Sequence, residues 1–324
     1  MPQKRRVCLV LNPAAGRGAG RRLRGEIERA LGARGIDYTV VETDGMGHAT
    51  ELAGRAAGQH ADVVAAVGGD GTIHEVVNGL MALEPAVRPA LALIPVGTGN
   101  DLVKVVAGTR TRSDAYDTLA SGHPVRLDVG RATWTGGTEY FVNAMGTGID
   151  VEVVRQIRGI RNLPGAAVYL LGLVRALMRY RPLRLRVTIA GDVIDRRFML
   201  AAVANGRCVG GAFLVCPGAS PDDGLLDVCM VDQLGLGRSL LVARRILRGT
   251  HGDHPAVEHR AASRVTLEAA GGEALFFQLD GELREPPGAN RVAIEVLPGA
   301  LTVLASAGRV TEPASDVRST LEVR

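Results

Sequence analysis

Three Gly-rich segments each follow a short apolar run in the first third of this 324-residue chain. The apolar runs, at 7–11, 62–67 and 90–94, alternate with stretches of helical spacing. This alternation predicts an α/β fold with an open, mostly parallel sheet and helices on both faces. Because ligands bind beyond the carboxyl ends of such strands, the Gly-rich segments predict one shared binding site at that edge.

The pattern changes after about Leu127, where short β-rich segments separated by turns replace the alternation. These segments predict an antiparallel, sandwich-like or barrel fold, interrupted by one helical stretch at 163–179. We therefore expect an α/β domain over residues 1–128 and a β-rich second domain over 129–298. The polar residues 309–324 form a loose tail in this interpretation.

Composition limits the classes of function. The net charge of +4 is compatible with anionic partners, but it does not choose among membranes, phosphorylated ligands and nucleic acid. Dispersed arginines and only 3% aromatic residues argue against nucleic-acid recognition. The four cysteines have no CxxC spacing, and the sequence has neither a signal-peptide pattern nor an apolar run of about 18 residues. We expect a cytoplasmic protein.

The second Gly-rich segment is Gly68-Gly69-Asp70-Gly71-Thr72, between a predicted strand and a predicted helix. Glycines allow backbone N–H groups to approach phosphate oxygens, and the helix N-terminus favours an anion. Asp70 beside a polyphosphate requires an intervening cation, which indicates Mg²⁺. A tight turn with Asp or Thr as a helix cap is the alternative interpretation.

Two further loops belong to the same predicted edge. The segment 12–20 matches neither the P-loop nor the dinucleotide-binding pattern. Its glycines still allow it to cover phosphates, with Arg17 as a charge partner. A plain flexible turn fits the segment equally well. The segment 95–101 combines a Thr hydroxyl, an Asn amide and a carboxylate, for which an Asx turn is the alternative.

A third kind of motif, Asp280-Gly281-Glu282, lies in the β-rich half. The glycine permits a sharp turn that aims Glu282 into a cleft between the domains. Phosphoryl transfer needs a group that orients or deprotonates the attacking hydroxyl, and a carboxylate suits that task. Alone, the tripeptide is a common hairpin turn.

Together these motifs resemble the diacylglycerol kinase catalytic-domain family, which includes soluble bacterial lipid kinases and the sphingosine and ceramide kinases. The resemblance extends from about Arg5 to Ala305. It implies an ATP-binding α/β domain of the NAD kinase and diacylglycerol kinase type, to which residues 299–308 return. The ATP-contacting positions that it implies are Asn12, Pro13, Ala14, Ala15, Gly16, Arg17, Thr43, Gly68, Gly69, Asp70, Gly71, Thr72 and Thr98.

The resemblance also assigns catalytic and metal-binding roles. It implies that Glu282 is the general base, and that Asp70, Asp101 and Asp128 organise catalytic Mg²⁺ and its waters. A second, structural Mg²⁺ is implied at a turn where an ion-free conformation is the alternative. Its ligands would be the Asp223 carboxylate and the carbonyl groups of Ser220 and Leu225.

The expected activity is ATP- and Mg²⁺-dependent phosphorylation of diacylglycerol to phosphatidic acid, or of a similar lipid alcohol presented by a membrane surface. A peripheral position at the inner face of the membrane is compatible with this expectation. An NAD kinase or sphingoid lipid kinase is the enzyme alternative, and an inactive nucleotide- or lipid-binding regulator is the alternative from another class. A homodimer is compatible with the sequence, which does not determine the oligomeric state.

Two features have no role in this interpretation. His251, His254 and His259 lie close together in a polar stretch, which we expect to be a solvated loop rather than a zinc site. The helical stretch 163–179 combines leucines with flanking arginines, which fits packing on the second domain or contact with a membrane.

Overall fold

The computed structural model of the chain describes residues 5–96, 111–157, 165–180 and 182–306. Residues up to Leu127, together with a segment that begins at Gly299, form one compact unit. Residues Asp128–Pro298 form a second.

The first unit is built on a parallel sheet with the strand order β2-β1-β3-β4. The end of the last strand of the chain, β15, adds to it through the parallel pairing of Val303 with Leu91. This arrangement confirms the predicted α/β fold. The elements are β1 (Arg6–Leu11), α1 (Ala15–Ala33), β2 (Asp37–Glu42), α2 (His48–Gly58), β3 (Val63–Gly68), α3 (Asp70–Met81), β4 (Ala90–Pro95), α4 (Arg112–Ser121) and β15 (Arg291–Ala305).

The sheet is the centre of the first unit because its middle strands are apolar along their length. Every residue of β3 is buried, as is all of β1 after Arg6. Runs of this kind are buried on both faces, which is typical of parallel sheets covered by helices. The side chains of Leu9, Ile27 and Leu31 are almost completely buried and link β1 to α1.

The ends of α1 depend on unusual backbone conformations. The helical pattern predicts a start near Arg21, and the regular turns of α1 begin just before it, after Gly18. Gly16, Arg17 and Gly18 have non-helical φ values of 56°, 60° and 82°, which separate a first turn at Ala15 from the rest of the helix. At the other end, the N–H of Gly35 donates to Gly32 and that of Ile36 to Leu31. This is a Schellman motif, which terminates the helix at a left-handed glycine.

The second unit is antiparallel and β-rich, as predicted. Its sheet order is β14-β13-β7-β9-β8-β12-β15, with β10 on β9, β11 on β10 and β6 on β5. The elements are β5 (His123–Trp134), β6 (Gly137–Phe141), β7 (Ala144–Gly148), α5 (Ile149–Ile157), α6 (Gly165–Arg179), β8 (Leu183–Ile189), β9 (Asp192–Ala204), β10 (Leu226–Asp232), α7 (Leu236–Ile246), β11 (Val257–Ala262), β12 (Arg264–Ala269), β13 (Phe277–Leu279) and β14 (Glu282–Arg284). Strands β5 and β15 contribute residues to both units.

Alternate residues of these strands form the main core of the second unit, around Phe141, Phe198 and Phe277. A second cluster lies where α5, α6 and α7 cover β7, β9 and β10. Helix α6 occupies most of the predicted helical stretch 163–179. The sequence did not predict α5 or α7. The buried face of α7 includes the polar Ser239 beside Val242 and Ile246.

In the described part of the chain, none of the helices combines the length and the apolar character that crossing a membrane requires.

We predict opposite effects of alanine at two glycines where α2 and α3 pack. A Cβ at Gly79 would lie 2.2 Å from the carbonyl oxygen of Thr50, whereas one at Gly54 would have its nearest contact at 3.8 Å. Gly79→Ala should therefore destabilise the protein by about 1–3 kcal/mol through overpacking. Gly54→Ala should stabilise it by about 0.5–1 kcal/mol through helix propensity. Urea unfolding of both variants measures the difference, and equal effects would contradict the packing described.

Candidate active site

The carboxyl edge of the parallel sheet brings several predicted residues together. The N–H of Asn12, just after β1, donates to Val67 on β3 at 3.0 Å. The N–H of Thr43, just after β2, donates to Leu11 at 2.9 Å. Both residues are therefore held by extensions of the strand pairing.

The side chain of Asn12 connects two predicted motifs. Its Oδ1 accepts the N–H of Ala14 at 3.0 Å, and its Nδ2 donates to Oγ1 of Thr72 at 3.0 Å. Thr72 is buried against the turn, where a Cβ at position 68 would lie only 2.4 Å from its Oγ1. Gly68 therefore has no room for a side chain. The Asn12 side chain fixes the Gly-rich segment 12–20 to the segment Gly68–Thr72.

The N-terminus of α3 has the properties of an anion site. Gly69 is the N-cap residue, and no side chain caps the helix there. The first amides of any α-helix have no intrahelical acceptor, and the helix dipole adds a positive potential at this end. Asp70 is the first residue of the helix, so a phosphate bound here would require a cation between it and the carboxylate.

The loop that follows Asn12 turns beside this helix end. Gly16, Arg17 and Gly18 all have positive φ, and the side chain of Arg17 is exposed. Arg17 has no hydrogen bond or ion pair in the described part of the chain, which leaves its guanidinium group available to a phosphorylated ligand.

Glu75 is a positioning residue that the sequence interpretation missed. Its carboxylate accepts the N–H groups of Gly47 at 2.9 Å and of Ala49 at 3.1 Å, at the N-terminus of α2. It thereby ties the segment that follows Thr43 to α3. The only feature of the sequence that could have indicated this role is the position of Glu75 on the predicted helix, about one turn after Gly68–Thr72.

Thr98 and Asp101 lie outside the described residues, as does Asn100. Their predicted roles in ATP and metal binding stay predictions.

The second unit forms a hairpin at Asp280-Gly281. Both residues have positive φ, 51° and 89°, and Leu279 pairs with Glu282 across the turn. This is the backbone pattern of a two-residue type I′ turn. The Asp280 carboxylate accepts the N–H groups of Val142, Asn143 and Ala144 at 2.9–3.0 Å. The half-buried Glu282 side chain makes no hydrogen bond or ion pair with any described residue.

A polar relay leads from this turn to an apolar cavity. The N–H of Gly281 donates to Oε1 of Gln278 at 2.6 Å, and Nε2 of Gln278 donates to Oδ2 of Asp150 at 2.8 Å. Burial raises the pKa of Asp150, and the hydrogen bond from Gln278 opposes part of that shift. Neither residue was predicted, because each is a single polar residue in an apolar stretch.

Asp150 is the only carboxylate among the described residues that line this cavity, whose volume is about 70 Å³. The remaining lining side chains are almost all apolar and come from β7, β9, α5–α7 and the segment between β9 and β10, among them Met145, Val153, Leu173 and Phe213. Such an apolar lining suits part of a hydrocarbon chain and offers few polar partners to a nucleotide.

The segment predicted to hold a structural cation is an acidic turn. The Asp223 carboxylate accepts the N–H of Leu225 at 3.0 Å, and Oγ of Ser220 donates to Asp222 at 2.7 Å. The buried Asp128 accepts the N–H of Gly224 at 2.6 Å, which places it with this turn. Burial and the charge of Asp223 raise the pKa of Asp227 to about 6. The cluster offers the hard oxygen ligands that a divalent cation prefers.

Known proteins match this chain along most of its length. Residues 6–132 match the diacylglycerol kinase catalytic domain, and residues 143–305 match the YegS C-terminal NAD kinase beta sandwich-like domain. A diacylglycerol kinase of Bacillus subtilis (strain 168) is 30% identical over 280 residues, 86% of this chain and 90% of that protein. One of Mycobacterium tuberculosis (strain ATCC 25618 / H37Rv) is 31% identical over 303 residues, 92% of this chain and 94% of that protein. The chain belongs to the diacylglycerol kinase family.

Membership of the diacylglycerol kinase family makes the chain a kinase, as the motifs predicted. The crystal structure of a diacylglycerol kinase from Bacillus anthracis strain Sterne matches its fold with a TM-score of 0.73 and 25% identity. The match covers 96% of this chain and all of that one.

The buried carboxyl group of Asp150 predicts a pH effect on the stability of this kinase. Its pKa in the folded state lies above the value of about 3.9 for an unfolded Asp. The folded state therefore binds the proton more tightly, and this residue's contribution to stability falls as pH rises above about 4. Asp150→Asn keeps an acceptor for Gln278 and removes the charge, so its stability relative to the wild type should increase with pH. Urea unfolding across about pH 4 to 8 measures this difference in stability. The exposed Asp192→Asn is the control and should show no such trend. If the stability of Asp150→Asn and that of the wild type changed in parallel with pH, the prediction would be contradicted.

Proposed function

We propose that this kinase transfers the γ-phosphoryl group of ATP to the hydroxyl group of diacylglycerol, or of a closely similar lipid alcohol, with Mg²⁺ as the cofactor. The observation that carries the proposal is the apolar cavity with one carboxylate, joined through Gln278 to the turn that precedes Glu282. The curated relatives named above are diacylglycerol kinases, which supports the same acceptor.

ATP binds in this proposal at the carboxyl edge of the parallel sheet. The N-terminus of α3 would receive phosphate oxygens through its first amides. Asn12 and Thr43 shape the adjacent edge, and Arg17 adds positive charge from the exposed loop. Thr98, on the third Gly-rich segment, is proposed to complete the nucleotide contacts.

The reaction needs a base and a cation. In the transfer, the acceptor oxygen forms a bond to the γ-phosphorus, the bond from that phosphorus to the β,γ-bridging oxygen breaks, and ADP leaves. We assign the acceptor's proton to Glu282, which has no competing partner among the described residues. Asp70 and Asp101 are proposed to hold Mg²⁺, which would neutralise the charge on the phosphates. Asp128 would act with them through water.

The acidic turn at 220–225 fits a second Mg²⁺. The Asp223 carboxylate and the carbonyl groups of Ser220 and Leu225 are hard oxygen ligands. Burial and, after it, the charge of Asp223 raise the pKa of Asp227, and a cation here would offset the second of these causes. This site would be structural, since its carboxylates contact the turn rather than the sheet edge.

The acceptor reaches the second unit from a membrane surface in this proposal. Helices α6 and α7 line the cavity with their inner faces, and they pack against each other. Their outer faces expose Met178 (66%) and Leu240 (46%), among other apolar residues. Exposed arginines on the same helices, such as Arg175 and Arg244, form no ion pair with any described residue. Apolar side chains with a basic rim favour an anionic lipid surface.

The first test of this function measures turnover after Glu282, the proposed general base, is replaced. Purified kinase with ATP, Mg²⁺ and diacylglycerol in mixed micelles should produce phosphatidic acid. Glu282→Gln should lower kcat by about 10²–10⁴-fold, because it removes a general base, and should leave ATP affinity nearly unchanged. The exposed Glu273→Gln is the matched control and should retain wild-type turnover.

The same assay separates the alternatives. Diacylglycerol, sphingosine, ceramide, a polyprenol and NAD are compared as acceptors at equal ATP. Preference for NAD over every lipid would overturn the proposed acceptor class, and preference for sphingosine would reassign it within the lipid kinases. Wild-type turnover by Glu282→Gln would refute the base assignment, and no turnover with any acceptor would favour a regulator.

A second test concerns the membrane surface. Met178→Asp and Leu240→Asp should each weaken binding to phosphatidylglycerol-containing vesicles by about tenfold or more, because each removes an apolar insertion and adds a like charge. The control is Val193→Asp, which makes the same change at an apolar residue on β9 that is 59% exposed. Vesicle sedimentation measures binding, and an equal loss in all three variants would argue against a specific surface.

A further inference from the structure

A thiol and two imidazoles meet on one side of the second unit. Cys229 lies on β10, His259 lies directly opposite it on β11, and His251 belongs to the segment between α7 and β11. One ligand atom of each lies within 4.8 Å of the other two. Facing residues of neighbouring antiparallel strands project from the same face, so the strand register places Cys229 beside His259.

His251 contradicts the expectation of a solvated loop. Its side chain is completely buried, and its ring lies 5.0 Å from that of His259. Nε2 of His251 is 3.0 Å from the carbonyl oxygen of Val215, whereas Nδ1 is buried with no hydrogen-bond partner in the described part of the chain. A proton on Nε2 satisfies the carbonyl and leaves the Nδ1 lone pair free. A buried acceptor without a donor is costly unless another ligand satisfies it.

We propose that Cys229, His251 and His259 bind a zinc ion, with Nδ1 of His251 as a ligand and a fourth position open to water. Tetrahedral zinc with bonds of about 2.0–2.3 Å needs ligand atoms about 3.3–3.7 Å apart. Because the ligand atoms lie within 4.8 Å of one another, the inward shift needed is at most about 1.5 Å. Rotation of the partly exposed His259 side chain is able to supply it.

The protonation states fit this ligand set. Burial lowers the pKa of both His251 and His259, which favours the neutral imidazoles that donate a lone pair to a metal. Burial raises the pKa of the Cys229 thiol to about 12, so the sulfur carries its proton before the metal binds. Zinc binding forms a Zn–S bond, breaks the S–H bond and releases one proton to water.

The ligand chemistry selects the metal. A thiolate and two imidazoles suit zinc and other soft or borderline ions, whereas Mg²⁺ and Ca²⁺ prefer oxygen. The hydrogen bond from His251 to Val215 is the kind of outer contact that orients a ligating imidazole. Because the side chain of Val215 lines the apolar cavity, zinc would also stiffen one wall of that cavity.

The test uses full-length protein, stripped with a chelator and kept reduced. We expect one zinc per chain by competition with a chromophoric chelator, and one proton released per zinc. Co²⁺ in place of zinc should give a sulfur-to-cobalt charge-transfer band and the strong visible bands of a tetrahedral site. Cys229→Ala and His259→Asn should each weaken zinc binding by at least about 100-fold. Cys208→Ala and His254→Asn alter the same residue types outside the cluster and should bind zinc as the wild type does.

His259→Asn decides the outcome if Cys229→Ala does not fold, since His259 is partly exposed and the change is small. Zinc affinity that is unchanged in His259→Asn would overturn the proposal, as would weak binding of equal strength in every variant. Tight binding of Cu⁺ without binding of Zn²⁺ would overturn the choice of metal. Zinc affinity, proton release and the cobalt spectrum are all measured without lipid kinase activity. The zinc site and the proposed function can therefore be disproved independently.

Discussion

Three backbone N–H groups converge on the carboxylate of Asp280, and the position of Glu282 depends on them. A left-handed conformation costs a non-glycine residue about 1–2 kcal/mol. Each hydrogen bond to a charged group returns about 1.5–3 kcal/mol, so three of them exceed that cost. The turn is therefore held to residues 142–144, and the hairpin is more than a link between two strands. Glu282 begins the strand that leaves this turn and has no such anchors of its own, which leaves its carboxylate free for chemistry.

Polar contacts spread from this turn through the second unit. In one direction, Asn143 accepts the N–H of Asn205, whose side chain donates to the carbonyl group of Asp128 at 2.8 Å. Asp128 in turn accepts from Gly224 at the acidic turn. In the other direction, Gln278 links Gly281 to Asp150 at the cavity. A connected network of buried hydrogen bonds resists deformation, because breaking any member leaves an unpaired polar group in a low dielectric. The acidic turn, the hairpin and the cavity wall are thus parts of one rigid frame.

The sequence predicts what is local and misses what depends on distant pairing. The strands β1, β3 and β4 are apolar runs, so their fold and the edge with Asn12 and Gly68 follow from periodicity and turn residues. The left-handed turn that precedes the regular part of α1 was not predicted, because residue type alone does not indicate that Arg17 adopts positive φ. Asp150 and Gln278 are far apart in the chain and meet through the pairing of β7 with β13. His251 stands in a polar stretch, and only the packing of that stretch against β10 buries it.

This contrast has a chemical origin. Phosphate is recognised by directional donors, and a strand followed by glycines and a helix supplies them from the backbone in a fixed order. Short motifs in the sequence therefore suffice to predict the site proposed for ATP. A hydrocarbon chain needs apolar volume and no direction, so many combinations of Leu, Val, Met and Phe from separate elements line an adequate cavity. Only a polar group such as Asp150 adds orientation there. Under the proposed function, acceptor choice would therefore lie in the shape of that cavity and the placement of the Asp150 carboxylate, while the sheet edge proposed to bind ATP would contribute little to it.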